Sequence, residues 1–270
     1  MSTIVNTNTK ALFAQQAQTL NQRVLDHAMN QLATGRRINS AADDAAGVAI
    51  SARMAAQVSS LGQAVRNAND GISMLQTADG AAQTVTDMFH RMKELTVQYL
   101  NGTHSAAQKD SIADEFSQLT AQMRDVISDT TWNNFSVLTM GGSLSITVGS
   151  EATDTQSIAF ENFGAGAINT GANLNLATGS ATALANIESA LNAVNSARAD
   201  WGAGMNVLAH RASNASSVSM NLSASNSRIA DADYAQATAD MARAQIVQQA
   251  GTAMLSQANQ LPYMVMALLR

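Results

Sequence analysis

Asp43 and Asp44 are adjacent carboxylates, a pairing that serves general acid–base chemistry when both groups converge on one site. Neighbouring positions on a helix point about 100° apart, which keeps two such groups from converging. The simpler reading is a pair of acids at a helix start, where unpaired N–H groups favour negative charge. His27, His90, His104 and His210 are scattered, and none has a second histidine three to five residues away, so they do not form the spacing of a metal site. The chain has no cysteine, which excludes disulfides, thiolate zinc sites and a cysteine nucleophile. No G-x-S-x-G, phosphate loop or dinucleotide fingerprint occurs. Arg36-Arg37 is the one adjacent basic pair in a chain of net charge −5, too little to neutralise a phosphate backbone, so no nucleic acid is expected as a partner. These residues point away from catalysis. Neither a cofactor nor a metal is expected, and the chain reads as no enzyme.

The elements that would position these residues are helical. Hydrophobic residues make up 46% of the chain but aromatics only 4%, so alanine supplies much of the apolar surface and thin helix–helix layers are expected. A single proline, Pro262, leaves almost nothing to break a helix before it. From about residue 8 to 35, Phe13, Ala17, Leu20, Val24 and Ala28 recur at helical spacing among Asn and Gln. A stripe this thin needs a partner helix. Residues 34–47, with glycine at both ends, read as a break. Ile50, Met54, Val58, Leu61, Val65, Ala68, Ile72 and Leu75, continued by Ala82, Val85, Phe89 and Met92, predict one long helix to about Leu100, with coiled-coil-like packing. Ser105 and Gln108 form a capping-box pattern for a helix to about Asp129 that folds back on it.

The middle of the chain differs. Leu144, Ile146 and Val148 alternate with Ser and Thr as in a half-exposed strand, and residues 157–160 are a candidate partner. Residues 161–182, rich in Gly, Ala, Asn, Thr and Ser, read as exposed loop. Helix returns from about Ala183 to Ser225, with Gly202 and Gly204 as weak points. A last helix, about residues 233–260, places Ala237, Met241, Ala244, Gln248, Gly251, Leu255 and Ala258 on a heptad seam with two polar or bare positions. The expected fold class is mainly α: an elongated antiparallel helical bundle or coiled coil with a small β-hairpin region in the middle of the chain. The N-terminus carries no apolar signal-peptide core, and no run of 18 apolar residues would span a membrane.

Three ordered blocks carry a family resemblance. QLATGRRINSAADDAAGVAIS (31–51), NANDGISMLQTADGA (67–81) and RIADADYAQATADMARAQIVQQAGTAMLSQANQLPYMVMALLR (228–270) resemble the N- and C-terminal blocks of bacterial flagellins. The resemblance covers about 1–140 and 183–270. It implies a structural subunit that polymerises into the flagellar filament for swimming motility, secreted unfolded through the flagellar type III apparatus and resident in the extracellular flagellum. The alternatives are a hook–filament junction protein, which shares the terminal-helix plan, and a non-flagellar coiled-coil scaffold. The DDAAG and ADADYA runs favour the filament subunit.

The resemblance also implies a division of labour. Residues 1–44 are an inner-tube helix pairing with 229–270, 45–138 and 183–228 form the core helical domain, and 139–182 form a short solvent-exposed β/loop insert. Phe13, Leu20, Val24, Met241 and Leu255 are the candidates for terminal-helix and inter-subunit packing. Arg37, Asn39, Asp43 and Asp44 lie at the tube–shell joint. Arg91, Leu95 and Glu115 match positions that a host Toll-like receptor contacts. The implied partners are copies of the chain itself, alone or with paralogous flagellins, the export chaperone and export gate, and the filament cap and hook-associated proteins.

Overall fold

The computed structural model describes residues 7–172, 176 and 180–268, with side chains left aside at 172, 180, 181 and 261–268. The rest of the insert and the extreme chain ends lie outside the described residues. The order is α1 (Thr9–Thr34), α2 (Ala45–Leu100), α3 (Ala106–Asp129), β1 (Thr131–Trp132), β2 (Phe135–Ser136), β3 (Gly142–Thr147), β4 (Thr155–Phe160), α4 (Gly166–Ala172), α5 (Ser180–Ala230) and α6 (Tyr234–Leu268). The chain forms two compact units, one of residues 1–56 with 221–270, the other of residues 57–220.

The central unit holds most of the large side chains. Phe89 and Met92 of α2, Phe116 and Met123 of α3, Trp201 of α5 and Phe163, in the turn between β4 and α4, are fully buried in one cluster. The few aromatics are therefore concentrated in this unit rather than spread thinly. The α2 stripe predicted from Leu61 onward faces this core, joined by Met74, Ala78 and Leu95. The helix α3 begins at the expected capping box: the Ser105 backbone N–H donates to Gln108 Oε1 at 2.9 Å, and the Gln108 N–H donates to Ser105 Oγ at 3.4 Å. Arg91 on α2 and Glu115 on α3 are equally far from the connecting turn and form an ion pair at 2.7 Å, as an antiparallel hairpin requires.

Strands β3 and β4 pair antiparallel, with Leu144 opposite Ile158 and Ile146 opposite Gln156. Their inner side chains press on α2 and α5. At Gly71 a Cβ would collide with Ile146 Cδ1 and sit 3.0 Å from Leu208 Cδ1, so a bare position lets the hairpin close on the helices. A second, two-residue hairpin, β1–β2, turns through Asn133 and Asn134 at φ 47° and 64°. Asparagine tolerates this left-handed geometry better than most residues.

Three expectations change. Residues 161–172 are not an exposed loop: Phe163 and Ile168 are buried, Phe163 stacks on Trp201 with ring centroids 5.7 Å apart, and α4 covers the core. The helix α5 runs through Gly202 and Gly204 without a break. Burial of Trp201 and Leu208 on either side outweighs the roughly 1 kcal/mol that each glycine costs in a helix. Finally, α6 does not stop near 260 but continues past Pro262 to Leu268. Proline has no N–H for the carbonyl four residues back, here Ala258. That carbonyl accepts instead from Asn8 Nδ2 at 2.7 Å, so the gap in the helix ladder is filled from α1.

Candidate assembly surfaces

In the terminal unit α1 and α6 lie antiparallel. Asn8 Nδ2 donates to the Ala258 carbonyl, Asn21 Nδ2 to the Ala244 carbonyl at 2.7 Å, and Gln248 Nε2 to Gln22 Oε1 at 2.9 Å. All seven seam positions read from the α6 sequence are buried or half-buried, with Met241 and Leu255 half-buried between the alanines. The matching face of α1 is Ala11, Ala14, Gln18, Asn21, Leu25 and Ala28, stepping three and four alternately. Small side chains bring the helices close enough for asparagine amides to reach backbone carbonyls across the seam.

Phe13, Leu20 and Val24 are not on that face. At 100° per residue they cluster on a stripe about a third of a turn away. They are 75%, 54% and 52% exposed. On α6, Val247 and Met254 are likewise turned outward. Beside Phe13 the pair encloses an open hollow of about 420 Å³ lined by Thr9, Lys10, Phe13, Ala14, Met254, Gln257 and Ala258. The chain therefore closes its own helix pair mainly with small and amide residues, with Leu25, Met241 and Leu255 among them, and leaves Phe13, Leu20 and Val24 outside. The inner α1 face escaped the sequence reading because alanine and asparagine carry little hydrophobic signal. Its own three-four spacing of small residues was the available clue.

Arg37, Asn39, Asp43 and Asp44 form one hydrogen-bonded turn. Gly35 ends α1 at φ 70°, its N–H donating to the Gln31 carbonyl. The chain then runs beside residues 229–232: the Arg37 N–H donates to the Ala230 carbonyl at 2.7 Å, and its Nη2 and Nε donate to the Ile229 carbonyl at 2.7 and 3.2 Å. Asp43 Oδ2 accepts from the Asn39 and Ser40 N–H groups at 3.0 and 2.8 Å, with His27 Nε2 3.4 Å from its other oxygen. The bonds from Ser40 and Asn39 hold the Asp43 carboxyl below its ordinary pKa, with His27 adding a smaller push in the same direction. Asp44 caps α2, accepting from the Gly47 N–H at 2.8 Å, and stands 3.7 Å from Arg37 Nη2. The two carboxylates thus do separate local work and do not converge.

In the central unit Arg91 donates to Glu115 Oε1 from Nε at 2.9 Å and Nη2 at 2.7 Å, and to Glu94 Oε2 from Nη1 at 3.1 Å. Hydrogen bonding to Glu115, then to Glu94, raises the Arg91 pKa further. Arg91 and Glu115 are exposed. Leu95, one turn along α2, is 1% exposed and belongs to the core, so its side chain does not share their surface. Among the described residues no group of three acidic or histidine side chains is placed to hold a metal ion, and no helix is long and apolar enough to cross a membrane.

Comparison with known proteins accounts for this plan. Residues 5–140 match the bacterial flagellin N-terminal helical region, and residues 184–269 match the bacterial flagellin C-terminal helical region. The chain belongs to the bacterial flagellins. It is 37% identical to the flagellin of Halalkalibacterium halodurans over 99% of this chain and all of that one. It is 35% identical to the flagellar filament 33 kDa core protein of Treponema phagedenis, again over 99% of this chain and all of that protein. A crystal structure of Bacillus cereus flagellin superposes with a TM-score of 0.50 at 29% identity, covering 56% of this chain and 88% of that one. Flagellins are structural proteins of the extracellular flagellar filament rather than enzymes, and this flagellin is a filament subunit.

Proposed function

We propose that this flagellin joins its filament through the outward faces of α1 and α6, with Phe13, Leu20 and Val24 as the apolar contacts to neighbouring copies. The observation that carries this reading is the exposure of that stripe beside a helix pair already closed by smaller residues. Large apolar side chains left in water on one face mark an interaction surface. Polymerisation then supplies the burial that the alanine-rich seam lacks. Met241 and Leu255 serve the seam itself. Residues 1–44 with 229–270 form the inner tube domain, 45–138 with 183–228 the core helical domain, and 139–182 a small insert. The turn built by Arg37, Asn39, Asp43 and Asp44 fixes how the chain leaves α1 and starts α2.

The same reading includes export unfolded through the flagellar type III gate with a chaperone, assembly under the filament cap on hook-associated proteins, and a role in swimming. An innate receptor would meet the Arg91–Glu115 surface, with Leu95 acting only by holding α2 in place. Removing residues 233–270 is the test. The truncated chain should keep the central unit folded by circular dichroism and form no filaments when added to filament seeds. Filaments from the truncated chain would overturn the proposal. Full-length protein that never elongates seeds would favour a hook–filament junction role.

A further inference from the structure

We infer that Asn101 is a spontaneous deamidation site, at which the loop between α2 and α3 converts to aspartate and isoaspartate as the protein ages. The reaction needs an asparagine side-chain carbonyl within reach of the next residue's backbone nitrogen, a free N–H on that nitrogen, and little steric obstruction. Asn101-Gly102 is the one Asn-Gly pair in the chain. Both residues are exposed in the five-residue connection between Leu100 and Ala106. A Cβ at Gly102 would meet nothing within 4 Å, so the backbone there is uncrowded. Among the described residues the Gly102 N–H has no hydrogen-bond partner, whereas those of Asn101 and Thr103 on either side are engaged.

The Thr103 N–H donates to Asn101 Oδ1 at 3.1 Å. That bond folds the side chain back over the Gly102 peptide and sits where an oxyanion develops when the carbonyl is attacked, which lowers the barrier. In the reaction the Gly102 nitrogen loses its proton and bonds to Asn101 Cγ. The side-chain nitrogen takes up that proton and leaves as ammonia, giving a succinimide. Water then opens either carbonyl of the ring, yielding aspartate or isoaspartate. No other reactant is required.

The rest of the chain supplies internal controls. Asn39-Ser40 is also outside a helix, but the Ser40 N–H is bound to Asp43 Oδ2 at 2.8 Å and is not free to attack. Asp70-Gly71 and Asp79-Gly80 share the glycine neighbour but lie inside α2, where the helix ladder holds the amide nitrogens. The product adds one negative charge to a chain of net charge −5, directly past the C-terminal end of α2, where the helix dipole disfavours it.

The test is to age purified full-length protein at neutral and mildly alkaline pH and map it by mass spectrometry, with isoaspartyl methyltransferase labelling. The expected result is a peptide containing Asn101 that gains the mass of NH2 exchanged for OH before any other. Its rate should rise with pH and fall several-fold in Gly102→Ala, which the open space accommodates. Asn39 should stay intact in the folded protein and react once the chain is unfolded in denaturant. An unmodified Asn101 after other asparagines have reacted would overturn the inference, as would an unchanged rate in Gly102→Ala.

Discussion

Asp43 shows how one side chain can replace a stretch of secondary structure. Its carboxylate gathers the Asn39 and Ser40 amides in a turn that has no ladder of its own. Folding lowers the Asp43 pKa from its ordinary value of 3.8, so the stabilisation is fully present above pH 3.8 and is lost as pH falls through the folded value. In an acid titration by NMR, the Asn39 and Ser40 amide shifts should move with a midpoint below 3.8, and Asp43→Asn should abolish that movement. A midpoint at or above the ordinary value would show that the turn does not favour the ionised form. Leu95 makes the opposite point. The sequence places it a turn from Arg91, but helical spacing alone does not say which of two such residues faces inward. Being 1% exposed in the core, it should cost about 2–5 kcal/mol on replacement by alanine, read as a lowered denaturant midpoint. A loss within error of zero would put Leu95 on the surface after all.

The central helices were legible in the sequence because they carry large apolar residues at regular spacing, and α6 because its mostly small residues keep an unbroken heptad. The α2 stripe from Leu61 to Met92, the Ser105–Gln108 box and the α6 seam all stand where periodicity and capping chemistry put them. Three features were hidden, each because its cause lies far away in the chain. Phe163 and Ile168 are isolated apolar residues among Gly, Ala and Asn, and the core they join is built by distant elements, with Trp201, some 40 residues on, stacking on Phe163. The continuation of α6 through Pro262 depends on Asn8, at the other end of the chain, for the hydrogen bond that proline cannot make. The inner face of α1 is written largely in alanine and asparagine, and its asparagine amides are matched to backbone carbonyls of α6, a partner that periodicity in α1 does not reveal. Asn8 also caps α1, its Oδ1 accepting from the Ala11 N–H at 3.1 Å. Asn8→Ala should therefore weaken two helices at once, by about 0.5–2 kcal/mol from the lost cap alone. Hydrogen exchange should quicken in the first turn of α1 and around Ala258–Pro262 of α6. Change confined to α1 would argue that α6 does not rely on the Asn8 amide.

At the scale of the whole molecule the two units differ in how they meet the cost of folding. The central unit buries Trp201, Phe89, Phe116 and Phe163 within itself. The terminal unit buries chiefly alanines, with Leu25 and Ile38, and leaves Phe13, Leu20, Val24, Val247 and Met254 in water. Domain stability rests largely on apolar area removed from solvent, at about 25 cal/mol per Å². A helix pair that buries mostly methyl groups therefore gains most when a neighbour covers its outer face. Flagellin subunits meet that condition by polymerising. The most direct measurement is seeded polymerisation of the triple variant Phe13→Ser, Leu20→Ser, Val24→Ser, followed by sedimentation and electron microscopy, beside thermal unfolding of the monomer. The expected result is a monomer with unchanged helix content and melting temperature that fails to elongate seeds. Filaments of normal length would contradict it, as would a monomer whose α1–α6 pair comes apart, because the stripe would then belong to the subunit's own fold.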